Sequence, residues 1–255
     1  MPDPLISQND PVGVNTLQVI ASAKDFNQWM YQVIKPSIKG RVLEIGSGIG
    51  NISSLLFLHH QQVTLSDINA DYCNYLQAKF AQHPSLENIT SLDLVITGFQ
   101  EKHKSLLNSF DTIVLLNVIE HIEDHNTAIQ NARSLLSKNG VLIVLAPAYQ
   151  ALYCPLDKGL GHFRRYTKNS MNLLLTSNGF RLASWTYFNC VGIAGWFIFG
   201  KILRRKALES SEVNLYEFLV PLNKSIDKIM CKITGLSIIC VGQKTDYMIQ
   251  IILAI

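Results

Sequence analysis

Charge is scarce in this chain of 255 residues: Asp, Glu, Lys and Arg make up only 16% of it, against an average of about 25%. The formal net charge of +3 is too small to point to a nucleic-acid partner by itself. The five cysteines, Cys73, Cys154, Cys190, Cys231 and Cys240, form no C-x-x-C pair. That argues against a zinc site or a disulfide framework and fits a reducing compartment. No apolar run approaches the ~18 residues of a spanning helix. The greasiest zone, Val191 to Leu203, is interrupted by Gly192, Gly195, Gly200 and Lys201. Residues 1–14 are polar with prolines, have no signal-peptide apolar core, and read as a loose leader. Internal repeats and low-complexity stretches are missing too. What is plentiful is apolar side chain, at 48% of residues with a mean hydropathy of +0.17, enough for a sizeable core.

The most informative stretch is Val42-Leu43-Glu44-Ile45-Gly46-Ser47-Gly48-Ile49-Gly50-Asn51. An apolar run, three alternating glycines and a second apolar segment predict a buried strand, a tight turn and a helix start. Such a turn brings backbone N–H groups close to a ligand. The dinucleotide fingerprint G-x-G-x-x-G does not fit, because Asn51 stands where its third glycine would be. Glu44, two residues before the first glycine, would repel a pyrophosphate but attract an ammonium group. A glycine turn without any ligand is the plain alternative. The stretch resembles motif I of the class I S-adenosylmethionine-dependent methyltransferases, E/D-x-G-x-G-x-G. That resemblance implies S-adenosylmethionine as cofactor, S-adenosylhomocysteine as product, and Glu44, Gly46, Ser47, Gly48 and Gly50 as cofactor-binding residues.

Strand and helix patterns then alternate. Asn15 to Ile38 has helical spacing, ended by Pro36. Strands are expected at Arg41–Ile45, Gln62–Leu65, Asn88–Leu94, Phe110–Asn117 and Val141–Ala146. Helices are expected from Ala70 to Gln82 and from Asp124 to Leu136, the latter closed by Lys138-Asn139-Gly140. Five alternations predict a parallel doubly wound sheet, with ligands at the carboxyl ends of the strands. Asp67, with Ile68, falls about 20 residues past the glycines, where an acid can accept from both ribose hydroxyls. By the same resemblance Asp93 and Leu94 meet the adenine, an ordinary surface aspartate being the alternative. Asn117-Val118-Ile119-Glu120-His121-Ile122 resembles the segment after strand four in small-molecule methyltransferases, including the ubiquinone-pathway O-methyltransferases. Asn117 and Val118 would then touch the cofactor and His121 would face the acceptor. His121 fits a general base or a capping histidine equally well. Glu120, His121 and Asp124 put oxygen and nitrogen donors close together, but magnesium needs converging oxygens, and no metal site is expected.

After strand five, Gly161-His162-Phe163-Arg164-Arg165-Tyr166 combines a base, two fixed cations and aromatic faces. The run L-Y-x-x-L-D-x-x-x-G-H-F-R-R-Y resembles a bacterial methyltransferase subgroup. His162 and Tyr166 are assigned to the acceptor side with His121, and Arg164 to structure. Strand six is expected at Phe180–Phe188 and strand seven at Ser237–Gln243. The resemblance implies the order 3-2-1-4-5-7-6 with strand 7 antiparallel, and a helical insertion between strands 6 and 7. Within a single methyltransferase domain, 15–38 is the N-terminal helical segment, 40–189 the Rossmann-like core, 190–236 the insertion, and 237–244 the last strand. The insertion reads as a lid, or, through residues 191–206, as a contact with an anionic membrane surface. Tyr247 to Ile255 is short and apolar. The reading is a cytoplasmic methyltransferase, or one peripheral to the inner membrane face, acting at oxygen on a small-molecule or lipid- or sugar-linked acceptor. A non-catalytic S-adenosylmethionine-binding subunit and an RNA methyltransferase are the alternatives, although nucleic acid is not the expected partner.

Overall fold

Short runs of β-branched and apolar residues, each broken by glycine or polar residues, build the sheet. The structure, a computed structural model, describes residues 11–205 and 210–246. The strands are β1 (Val42–Ile45), β2 (Val63–Asp67), β3 (Leu86–Ser91), β4 (Phe110–Leu116), β5 (Leu136–Pro147), β6 (Phe180–Phe188) and β7 (Ser237–Lys244). They form one sheet in the order 3-2-1-4-5-7-6. The first five are parallel, and β7 runs antiparallel to both β5 and β6. The helices, in chain order, are α1 (Pro11–Ser22), α2 (Lys24–Ile34), α3 (Ser53–Phe57), α4 (Ala70–Phe80), α5 (Phe99–Lys102), α6 (His125–Leu135), α7 (Pro155–Gly159), α8 (Lys168–Ser177), α9 (Gly192–Trp196) and α10 (Ser210–Met230).

Alternation along the strands sends side chains to two separate cores. Leu43, Ile113, Leu115, Leu142 and Val144 pack on one face with Ala128, Ile129 and Ala132 of α6 and Met171 and Leu175 of α8. Val42, Val114, Ile143 and Leu145 pack on the other with Trp29 and Ile34 of α2, Leu56 of α3, Leu76 of α4 and Val220 of α10. Each such aliphatic side chain, fully buried, contributes roughly 1.5–3 kcal/mol. The sheet is therefore covered on both faces, and its carboxyl edge is the place left for a ligand.

The expected elements recur with three changes. The single N-terminal helix is two helices that meet at Ala23, followed by a 3-10 turn at Lys35–Ser37 that contains Pro36. Strand β3 stops at Ser91, so Asp93 and Leu94 lie beyond its end. Lys138-Asn139-Gly140 does not cap α6. Leu136 is already extended (φ −73°, ψ 139°) and fully buried, so the helix passes directly into β5. Residues 137–140 form an irregularity in that strand. Asn139 takes φ +61°, and the pairing jumps from Phe110 with Leu136 to Thr112 with Val141. The run Tyr247 to Ile255 and most of the leader lie outside the described residues.

The insertion after β6 packs onto the N-terminal helices. The Glu217 carboxylate of α10 accepts from the backbone N–H groups of Asp25 and Phe26, at the start of α2. This supplies a cap that Ala23 cannot provide. Asp227, also on α10, accepts from the N–H groups of Asn189 and Cys190 at 2.9 and 2.7 Å. Those two bonds hold the chain where it leaves β6.

Candidate active site

The turn after β1 is shaped by glycine. Gly46 has φ +76°, and a Cβ there would lie 2.4 Å from Val118 Cγ2; Gly50 has φ +80°, and a Cβ there would lie 2.5 Å from Phe80 Cε2. Both positions combine left-handed backbone with close approach, so a side chain is excluded twice over. The N–H groups of Gly46 and Ser47 each donate to the Ser66 carbonyl at 2.9 Å, and Gly50 N–H donates to the Ser47 carbonyl at 2.9 Å. The turn is thus tied to the end of β2.

Asp67 completes that tie. Its Oδ2 accepts from Gly48 N–H and its Oδ1 from Asn69 N–H, both at 2.9 Å. Burial pushes its carboxyl above the usual range, while the two N–H groups work in the opposite direction. Gly46, Asp67, Ile68, Asp93, Leu94 and Val118 line one cavity of about 310 Å³. His121 and Phe163 line it too. This volume is in the range of small-ligand sites. Asp93 is half-buried and accepts from Val95 N–H at 2.9 Å through Oδ1. Asn131 of α6 donates to the Leu94 carbonyl at 2.8 Å, fixing the loop on its outer side. Asn117 is exposed, with φ +52° and its N–H on the Leu145 carbonyl at 2.8 Å. Asparagine tolerates this conformation, and it turns the chain so that Val118 faces Gly46.

Glu44 is placed differently from the other acids. It shares strand parity with Val42 and is buried beneath the start of α3, where Ser53 Oγ donates to its Oε2 at 2.5 Å. Burial pushes its carboxyl up to about 7, against the hydrogen bonds from Ser53 and Ser47 and with help from the nearby Asp67 charge. Glu44, Ser47, Gly48 and Gly50 support the turn, whereas Gly46 is the motif residue that borders the cavity.

The sequence separates His121 from His162 by 41 residues, yet the structure stacks them edge to face with ring centres 4.7 Å apart. Phe163 N–H donates to the Glu120 carbonyl at 2.8 Å and joins the two segments. Desolvation, and then His162, pull the His121 imidazole down to about 4. His162 is buried, and its Nδ1 lies 2.9 Å from Asp157 Oδ1. Arg165 Nε donates to the same oxygen at 2.8 Å, and Arg165 also donates to the Ala148 carbonyl and lies over the Trp196 ring. Burial alone would raise the Asp157 carboxyl, but His162 and Arg165 hold it below the ordinary range. Tyr166 belongs to the core instead. Its hydroxyl meets His125 Nδ1 at 2.9 Å and the Ile119 carbonyl at 3.4 Å, and burial pushes it up to about 12. Arg164 donates to the carbonyls of Ile122 and Glu123, a structural use. Asp124 caps α6 through Thr127 N–H at 3.0 Å and is not part of the histidine cluster.

Phe163, Val95 and Glu123 line the cavity without having been singled out from sequence. Phe163 was legible only as part of an aromatic and basic cluster. The buried Glu120, fully shielded, has no hydrogen-bond partner for either carboxylate oxygen. Its place directly before His121 was visible, but its burial was not.

The strand order with one reversed strand, and a glycine turn facing an acid at the next strand end, define a class I methyltransferase fold. More narrowly, residues 43–142 match the model of a methyltransferase domain family. The chain is 27% identical over 158 residues to probable polyketide synthase 42 of Dictyostelium discoideum, a match covering 54% of this chain and 6% of that protein. It is 26% identical over 162 residues to the ubiquinone biosynthesis O-methyltransferase of Glaesserella parasuis, covering 61% of this chain and 68% of that one. A solved SAM-dependent methyltransferase from Archaeoglobus fulgidus shares the fold, with a TM-score of 0.56 and 18% identity over 87% of this chain and 94% of that chain. The chain therefore spans only a small part of the polyketide synthases it matches.

Proposed function

We propose that this protein transfers a methyl group from S-adenosylmethionine to a hydroxyl of a small-molecule or lipid-linked acceptor. The carrying observation is the single cavity at the strand ends that gathers Gly46, Asp67, Asp93 and Val118 at one side and His121 and Phe163 at the other. The residues suit the cofactor. Gly46 gives a backbone edge that a Cβ would block, and Asp67 stands at the wall with acceptor oxygens. Asp67 would take the ribose hydroxyls, Asp93 and Leu94 the adenine, and the glycine turn the methionine end. When bound, the cofactor supplies an electrophilic methyl group on a positively charged sulfur.

The chain's own contribution is mainly placement, which can supply about 7–11 kcal/mol of barrier lowering. The His121–His162 pair is the machinery proposed for the acceptor hydroxyl. Asp157 on Nδ1 fixes the His162 ring and leaves Nε2 as the nitrogen able to meet a ligand or take a proton. His121 is neutral at pH 7 but a weak base. Tyr166 contributes by holding the Ile119–His121 turn. Transfer to oxygen is supported by the name of the ubiquinone-pathway relative and by this histidine pair.

Two features support an acceptor with an apolar tail. A second cavity of about 210 Å³ lies under the insertion, lined by Ile20, Leu156, Trp196, Phe199 and Tyr216. On the outside, Phe218, Leu222, Ile229 and Ile233 are exposed along α10 and just past it, and Phe197, Ile202 and Leu203 are exposed in the segment after α9, next in sequence to Lys201 and Arg204. Apolar side chains next to cations suit an anionic lipid surface. No helix among the described residues is long and apolar enough to cross a membrane. The test is a transfer screen with methyl-labelled S-adenosylmethionine against envelope lipids, quinone precursors and sugars, with vesicle flotation alongside. Label in a lipid or quinone fraction supports the reading. Binding of S-adenosylmethionine with label in no fraction would favour a non-catalytic subunit, and label in added RNA would replace the acceptor class.

A further inference from the structure

Glu120 poses a physical problem. Its side chain is fully shielded from solvent, and neither oxygen has a hydrogen-bond partner. An unpaired buried carboxyl costs several kcal/mol in general, so such groups are normally paired or bound to a metal. The nearby cation does not solve it, because Arg165 is engaged by Asp157 and the Ala148 carbonyl. What does surround Glu120 is a pair of imidazoles. One donor atom from each of Glu120, His121 and His162 lies within 4.8 Å of the other two.

We propose that Glu120, His121 and His162 bind a first-row divalent cation of the zinc kind at the acceptor end of the cavity. Two imidazoles and one carboxylate are a donor set for borderline metals such as zinc, rather than for magnesium or calcium, which take oxygens. Three protein ligands with an open fourth position is the pattern of zinc sites that bind a substrate. Donors around a tetrahedral ion with bonds of about 2.0–2.1 Å stand roughly 3.4 Å apart, so donor atoms now within 4.8 Å of one another would close by up to about 1.4 Å on loading. The support behind the ligands is already built. Asp157 holds His162 by Nδ1, orienting the ring as the second carboxylate of a carboxylate–histidine–metal arrangement does. Arg165 neutralises Asp157, so the Glu120 carboxyl is left for the cation. His121 borders the cavity, so the open position faces the acceptor. There the cation would take an acceptor hydroxyl and release its proton to water, in place of proton uptake by His162; this use, unlike the binding itself, rests on the proposed methyl transfer.

The test is metal binding by the full chain, stripped with chelator and dialysed, then titrated with Zn²⁺ against a chromogenic competitor and with Co²⁺ while visible absorption is followed. The wild type should bind one equivalent of each, with a four-coordinate cobalt spectrum. Glu120→Gln, His121→Ala and His162→Ala should each weaken binding at least tenfold, and Asp157→Asn should weaken it about 10–100-fold. The pair His59→Ala with His60→Ala should leave it unchanged. Glu120→Gln keeps the shape of the side chain and should melt like the metal-free wild type, which separates lost binding from lost folding. No stoichiometric binding by the wild type, or tight binding retained by Glu120→Gln, would overturn the proposal. Binding is read without methyl transfer, so failure of the transfer screen and failure of this site are distinguishable.

Discussion

Gly48 donates its backbone N–H to Asp67 Oδ2 at 2.9 Å, so the glycine turn after β1 is latched by an acid at the end of β2. The residue that should hold the ribose is therefore also the one that holds the turn. Asp67→Ala removes both, and hydrogen bonds to a charged group are worth about 1.5–3 kcal/mol each. S-adenosylmethionine affinity should fall at least tenfold, measured by titration calorimetry. Equal affinity would remove Asp67 from the site.

Gly46→Ala places a methyl 2.4 Å from Val118 Cγ2 on a residue with φ +76°. The backbone cost alone is about 1–2 kcal/mol. The variant should lose at least that much stability in chemical denaturation and should bind cofactor at least tenfold more weakly, because Val118 must move at the cavity wall.

Glu44 gives a pH signature. Its ordinary value is 4.5, and burial raises it to about 7 in the folded chain. Between these values the folded state holds more protons than the unfolded state, so stability falls as pH rises. The contribution is fully present below about pH 4.5 and is lost by the time pH passes about 7. Glu44→Gln cannot titrate. Melting temperatures of the metal-free, cofactor-free protein measured from pH 4.5 to 8 should decline less steeply in Glu44→Gln than in the wild type. Parallel curves would contradict the buried, proton-binding Glu44.

Asp157→Ala should be severe. It leaves the Arg165 guanidinium buried without its carboxylate and frees the His162 ring. Breaking a buried pair from one side costs about 3–5 kcal/mol, visible as a shift in the denaturation midpoint.

The strand ends were legible because the chemistry and the spacing agree there. Glu44, Asp67, Asp93 and Asn117 each close an apolar run, and a doubly wound sheet brings such ends to one edge. At β1 the strand parity turns Glu44 under α3, and Gly46 faces the cavity instead. At Leu136 a strong local signal, Asn139-Gly140, lost to burial of a leucine in the sheet, so the expected helix cap became a strand irregularity. The pairing of His121 with His162 depends on the loop after β5 folding back over the turn after β4, a long-range contact that no local pattern encodes. The place of Tyr166 in the His-Phe-Arg-Arg-Tyr cluster, on a loop leaving the strand ends, points to the acceptor side, but its ring fills the core and its hydroxyl is satisfied by His125. Glu217 capping a helix some 190 residues earlier in the chain is equally invisible to local reading.

The most direct test of the central claim is titration calorimetry of the full chain with S-adenosylmethionine and with S-adenosylhomocysteine. A class I cofactor site at the strand ends predicts saturable binding of one molecule per chain for each, weakened in both cases by Asp67→Ala. Absence of binding by the wild type for either compound would contradict it.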